Sequence, residues 1–381
     1  MKRFCWFVVV MLIAVLPGWA AKTRNMTVDQ LKQLLVSAHQ ANTRDADVAK
    51  DLEDVELTEE LTHNTLESFG PYIPGQMTTE RLFILEAQSS VLPPPASDIP
   101  TAPAPDAATQ KAILDKAMNY ATKTYAELPP VTATKDTRRF QDNADIPPQS
   151  LGSRSSGTFA PTITPIRYVT ADESQVTLRK GAEPAPSQDK GQWGANSMIA
   201  LQGQPPDLST VMDEAQQTGK IEWLRWEIVN GKQVAVFSYE VDKKKTTDEL
   251  VYCCFPQVNE SADTTSRLGS PGGGSGNYQT YENWKPWKAK VPYHGEIFID
   301  PNTGVVVRLI TEADLKGSDP VRVETQRIDY GPQTVGGKPL IVPVRNIIDT
   351  MEKPFPNRPE GRFVFRHTLF TEDYKNYQAG S

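Results

Sequence analysis

The chain has 381 residues, of which 38% are hydrophobic and 31 are proline, and its formal net charge is -7. An acidic chain of this kind argues against nucleic acid and anionic membrane surfaces as partners, both of which attract basic patches. The length permits two domains, and the proline content points to extended linkers beside a core of ordinary size.

Lys2 and Arg3 precede an apolar run from Phe4 to Leu16, and Gly18 and Ala20 supply small residues for a cleavage site. This is the pattern of a secretory signal over residues 1–20, cut after Ala20. The run falls short of the about 20 residues of a membrane span, so no stable span is expected after cleavage. Loss of Lys2 and Arg3 moves the charge to -9, and no cysteine follows the cut to carry a lipid. The expected location is therefore periplasmic or extracellular.

Residues 21–91 read as a helical module. Thr27 and Gln30 fit a capping box, with Val28, Leu31, Leu34, Leu35 and Ala38 at helical spacing behind it. Asp45 is placed to cap a second helix carrying Val48, Leu52 and Val55. Thr58 is placed to cap a third carrying Leu61, Leu66 and Phe69, stopped by Gly70-Pro71. A fourth starts near Thr79 and carries Leu82, Phe83, Leu85 and Ala87. Residues 92–106, with Pro93-Pro94-Pro95, read as an extended linker.

From residue 107 to 381 a sheet domain is expected. A helix over Ala107 to Leu128 buries Ile113, Leu114, Ala117, Tyr120, Ala121 and Tyr125, and Pro129-Pro130 ends it. A strand then runs from Val131 to near Phe140, followed by a polar loop from Asp142 to Pro165. A short helix at Leu208 to Gln216 precedes a hairpin, Ile221 to Ile228 and Val234 to Val241, turning at Asn230-Gly231. A strand at Leu250 to Phe255 leads into a glycine-rich loop near 256–283 that is expected to be disordered. That loop lacks the Gly-Lys-Ser/Thr ending of a phosphate cradle. Strands at His294 to Ile299, Val305 to Ile310, Val321 to Tyr330, Leu340 to Ile348 and Arg362 to Thr371 are joined by short turns, Asp300 to Gly304 among them. The fold class is α+β: an N-terminal helical segment followed by a strongly curved antiparallel sheet packed on a helix.

Chemistry-bearing residues are few. Cys253 and Cys254 are adjacent; two half-buried thiols and a strained vicinal disulfide are both open readings. His294 and Glu296 alternate onto one strand face, and with His367 they would form a metal or acid–base site only if their strands approach. No Gly-x-Ser-x-Gly, His-Glu-x-x-His or calcium-loop pattern occurs, so no catalytic residue, metal or cofactor is assigned. The aromatics are more suggestive: Trp223, Trp226, Trp284, Trp287 and Tyr293 read either as packing residues or as the rim of an apolar ligand groove.

The segment Gly295-Glu296-Ile297-Phe298-Ile299-Asp300-Pro301-Asn302-Thr303-Gly304-Val305-Val306-Val307-Arg308-Leu309 resembles the hairpin of periplasmic lipoprotein-carrier-like proteins. That superfamily includes a lipoprotein chaperone and a stress-signal regulator, and the resemblance covers roughly Ala107 to the C-terminus. It implies an incomplete, strongly curved barrel with helices on its open side and an apolar hollow for acyl chains. The whole chain also resembles a group of uncharacterised exported bacterial proteins, through Val28-Asp29-Gln30-Leu31, Thr137-Arg138-Arg139-Phe140 and the paired cysteines. The resulting expectation is a non-catalytic exported protein that shelters a lipid or a lipoprotein acyl chain. A protein-interaction module with an envelope partner is the second reading, and a hydrolase of unknown type the third.

Overall fold

A computed structural model describes residues 24–142, 165–183, 200–202, 207–247, 249–257, 283–352 and 365–380. The expected signal, almost all of the polar loop after Asp142 and almost all of the glycine-rich loop lie outside the described residues. The fold is α+β. A nine-stranded antiparallel sheet dominates it, and that sheet does not close into a barrel.

The first module opens with strand β1 (Arg24–Met26), paired in parallel with β2 (Val55–Leu57). Helices α1 (Val28–Gln40), α2 (Asp45–Asp51), α3 (His63–Ser68) and α4 (Gln76–Gln88) complete it. The capping box on α1 forms between Thr27 and Gln30 as the spacing requires. Three expectations are corrected. Val55 belongs to β2 rather than to the second helix, because Val55 and Leu57 alternate inward beside Met26. Thr62, not Thr58, caps α3, accepting from the Thr65 N–H at 3.2 Å. Asp45 opens α2 but caps a different helix. Its carboxylate accepts from the Met77 and Thr78 N–H groups at 3.0 and 2.9 Å, serving α4, whose own cap residue Gly75 has no side chain.

Residues 92–106 are tied to both sides. The Glu60 N–H donates to the Pro93 carbonyl, and Trp226 Nε1 donates to the Pro103 carbonyl, each at 2.9 Å. Helix α5 (Ala107–Asn119) follows, capped by Asp106, and continues as π-helical turns over Tyr120–Tyr125 instead of as one α-helix. The wider i→i+5 turn brings Tyr120 and Tyr125, five residues apart, into the same buried layer.

The large sheet comprises β3 (Val131–Gln141), β4 (Arg167–Leu178), β6 (Ile221–Val229), β7 (Lys232–Val241), β10 (Tyr293–Ile299), β11 (Val306–Ala313), β12 (Val321–Val335), β13 (Lys338–Glu352) and β14 (Arg366–Ala379). Their spatial order is β4-β3-β14-β13-β12-β11-β10-β7-β6. Between β4 and β7 along the chain come β5 (Ala200–Gln202) and helix α6 (Leu208–Thr218). A separate three-stranded sheet is formed by β5, β8 (Leu250–Gln257) and β9 (Asn283–Ala289). The β6–β7 turn has Asn230 and Gly231 at φ 50° and 74°, the paired left-handed conformations that a two-residue hairpin needs. Strand β4 was not anticipated, because its polar, largely exposed sequence lacks an apolar alternation.

Alternation sends neighbouring side chains to opposite faces. One face packs on α5, the π-helical turns and α6 through Phe237, Tyr239, Ile297, Leu309 and Tyr330. The other receives the N-terminal module, where Phe83, Ile84 and Ala87 meet Phe140, Ile347 and Leu369.

A buried polar row on the helix-bearing face

Register defines the candidate site. Glu324 on β12 stands opposite Thr350 on β13, Thr350 opposite Thr368 on β14, and Thr368 opposite Gln141 on β3. The four side chains are 4%, 1%, 0% and 5% exposed, so a polar row crosses four adjacent strands out of water. On one side of it Arg366 and Glu352 form a buried ion pair, with Nε to Oε1 at 2.7 Å. On the other side the next row carries Gln326, Ile348, Phe370 and Arg139, and here Ile348 and Phe370 are only half buried. Tyr252, fully buried on β8, contributes its phenol from the second sheet and packs against Trp287 at 6.0 Å between ring centres.

Hydrogen bonding along the row is incomplete. The Thr350 hydroxyl donates to the Thr368 carbonyl at 3.3 Å. Both carboxylate oxygens of Glu324, the Thr368 hydroxyl and the Tyr252 hydroxyl have no well-formed hydrogen bond among the described residues. Burial pushes the Glu324 carboxyl up to about 7; the nearby Tyr252 hydroxyl works in the opposite direction and does not offset it. Near neutral pH this carboxyl therefore exists partly in its protonated form, in which it donates as well as accepts. Further along the same face most polar groups are paired, the Asn346 Oδ1 being an exception among the described residues. Lys135 lies 2.9 Å from Glu183 and 3.2 Å from Glu372, and the Tyr374 hydroxyl donates to Glu183 at 2.8 Å.

The aromatic residues singled out by sequence fall in different places. Trp223 and Trp226 stack edge-to-face at 4.8 Å and pack against the helix-bearing cluster. Tyr293 is buried and donates to Glu214 on α6 at 2.6 Å, tying that helix to the sheet. Trp287 joins Leu250, Tyr252 and Val321 in another cluster. The side chains of Trp284, Cys253 and Cys254 lie outside what is described, although the Cys253 backbone pairs with Ala200.

His294, Glu296 and His367 do not converge. Strands β10 and β14 are four positions apart in the sheet order, roughly 19 Å at about 4.8 Å per strand. His294 sits 2.9 Å from Asp314, Glu296 pairs with Arg225 at 2.8 Å, and His367 lies 2.5 Å from Asp349. Among the described residues no three His, Cys, Asp or Glu side chains come together as metal ligands.

Sequence reading passed over Glu324, Thr350, Thr368, Gln141 and Tyr252. One signal was available for the first: Glu324 and Gln326 share alternation parity with Ile328 and Tyr330, which places a carboxylate on the inward face of its strand. Thr368 offered no such cue beyond its place in an expected strand. The chain matches no family model, no curated protein and no solved structure.

Proposed function

We propose that this is a non-catalytic, exported binding protein that holds an amphiphile, an acyl chain with a hydrogen-bonding head, on the helix-bearing face of its open sheet. The observation that carries the reading is the row Glu324-Thr350-Thr368-Gln141. Among the described residues its buried oxygens at Glu324 and Thr368 have no well-formed hydrogen bond, and half-buried Ile348 and Phe370 lie alongside. A carbonyl or hydroxyl head group satisfies such atoms, and each methylene laid against the apolar pair contributes about 0.8 kcal/mol when fully buried. The reading treats residues 107–381 as a carrier-like half barrel, strongly curved, with residues 1–20 as the export signal. It assigns the protein no chemistry beyond binding.

The test is native mass spectrometry and lipid extraction of the full chain purified from the bacterial periplasm. Acyl species co-purify with the unaltered protein and are lost from Glu324→Lys, whose fixed positive charge cannot replace a neutral carboxyl in that setting. Reproducible absence of any acyl species, with a protein partner recovered instead, turns the assignment to an envelope interaction module.

A further inference from the structure

The face opposite the helices carries a second feature, independent of the ligand reading. The N-terminal module has a core of its own, in which Leu31, Leu35, Leu52, Leu61 and Leu82 are at most 2% exposed. Its footprint on the sheet joins an apolar patch, where Phe83, Ile84 and Ala87 meet Phe140, Ile347 and Leu369, to a set of buried ion pairs. Glu60 accepts from Arg308 at 3.2 Å and also from Arg327, while Glu86 accepts from Arg345 at 2.8 Å. On the sheet side these arginines are short of carboxylates. Arg308 and Arg327 share Asp329, and Arg138 and Arg345 share Asp373. Glu227 lies 3.9 Å from Arg308 but is engaged by Arg225 at 2.7 Å. The module thus supplies two further carboxylates to a surface whose arginines share the ones it has.

Buried ion pairs are a poor source of net stability compared with apolar contacts, and their best-attested use is to specify which surfaces meet. Polar interfaces between units with separate cores are also the usual setting for relative motion. Here the two units are joined in sequence by the proline-rich residues 92–106. We infer that residues 24–91 form a displaceable cover over an arginine-bearing sheet face, with Glu60 and Glu86 standing in for the carboxylates of an acidic segment of a partner protein. The arginines then present planar, forked donors suited to carboxylate recognition.

The experiment uses the full chain with Glu60→Gln and Glu86→Gln, phenylglyoxal labelling of arginines read by mass spectrometry, and a fluorescent oligoglutamate peptide as the probe. In the double variant Arg308, Arg327 and Arg345 become labelled while Arg366, buried on the opposite face, stays protected. The probe binds roughly tenfold tighter than to the unaltered chain and suppresses that labelling. Labelling of Arg366 in step with the other three, which reports a loosened sheet, overturns the inference. So does a double variant whose three arginines stay protected or whose affinity for the probe is unchanged. Should the double variant not fold, the unaltered chain is labelled at rising salt. The three arginines then react ahead of Arg366, and a parallel rise in all four overturns the cover.

Discussion

On the module side of the large sheet, Asp329 lies between Arg308 and Arg327; on the helix side, the group that meets Glu324 among the described residues is the Tyr252 phenol. The two carboxyls lie on the same strand, five residues apart, Glu324 buried and Asp329 partly so, and both are desolvated. Burial alone raises a carboxyl pKa. At Asp329 the two guanidinium groups more than offset burial and hold the pKa well below the usual carboxylate range, whereas at Glu324 burial prevails. The contrast shows that the two faces differ in what meets the buried charge. A carboxylate held between two guanidinium groups suits a fixed ionic contact, and one facing a phenol suits a group that brings its own hydrogen bonds.

The largest expected effect tests the ionic face. Arg327→Ala leaves Glu60 and Asp329 with one buried cation fewer and costs about 3–5 kcal/mol in urea denaturation at neutral pH. Replacing Arg327 and Glu60 together by apolar residues of similar volume costs clearly less, since the desolvated charges leave as a pair. A double variant as unstable as the single one contradicts this account.

Next comes the opposite pH response of the two carboxyls. A depressed pKa such as that of Asp329 contributes stability that is present above the unfolded value of about 3.9 and is lost as pH falls through the folded one. Asp329→Asn is therefore destabilising near neutrality, and its effect shrinks in acid. Glu324 acts in the other direction. Its folded carboxyl near 7 binds a proton that the unfolded chain releases near pH 4.3, so stability falls by about 3 kcal/mol as pH rises through that window. Glu324→Gln abolishes this fall and is more stable than the parent above neutrality. Stability curves of parent and variant that stay parallel from acid to alkaline pH remove the basis for a neutral buried carboxyl.

A smaller step belongs to His367 on the module side. Burial lowers its pKa, but Asp349 and, more weakly, Asp142 raise it further, leaving it above the usual imidazole value. Its contribution is full below about 6.5, the unfolded value, and fades as pH rises through the folded one. His367→Asn should erase that step while leaving the Glu324 window unchanged, because the two residues lie on opposite faces. Titration of the imidazole by NMR gives the folded value directly.

How much of this was legible depended on whether neighbours along the chain or across the sheet decide the outcome. Asn230-Gly231 announced its hairpin, and Thr27 with Gln30 announced the start of α1, because the residues that decide each sit within a few positions. Strand β4 escaped notice because an exposed edge strand needs no apolar alternation. The parallel β1–β2 pair escaped for another reason: Met26 and Leu57 meet across the whole of α1 and α2. The candidate site follows the same rule. Inward placement of Glu324 was readable from Ile328 and Tyr330, but its alignment with Thr350, Thr368 and Gln141 depends on registers set by four strands. Glu60 sits between β2 and α3 with no periodicity around it, and nothing local marks it as the partner of Arg308 and Arg327.

The smallest effect concerns the segment joining the two regions. Trp226 on β6 is one of the aromatic residues expected at a groove rim, yet its indole N–H donates to the Pro103 carbonyl while its ring packs on Trp223. Trp226→Phe keeps most of the ring packing and deletes the donor, so the loss in stability is about 1 kcal/mol. If the tract anchors the cover, hydrogen exchange should quicken at the N–H groups of 97–99 and 106–109 while β7 and β10 stay protected. Uniform acceleration through the sheet instead makes Trp226 a core residue whose hydrogen bond is incidental. If the proposed lipid co-purifies with the parent, its retention in the same variant separates the two roles the side chain has been given, because a packing residue at the tract would leave the row at Glu324 intact.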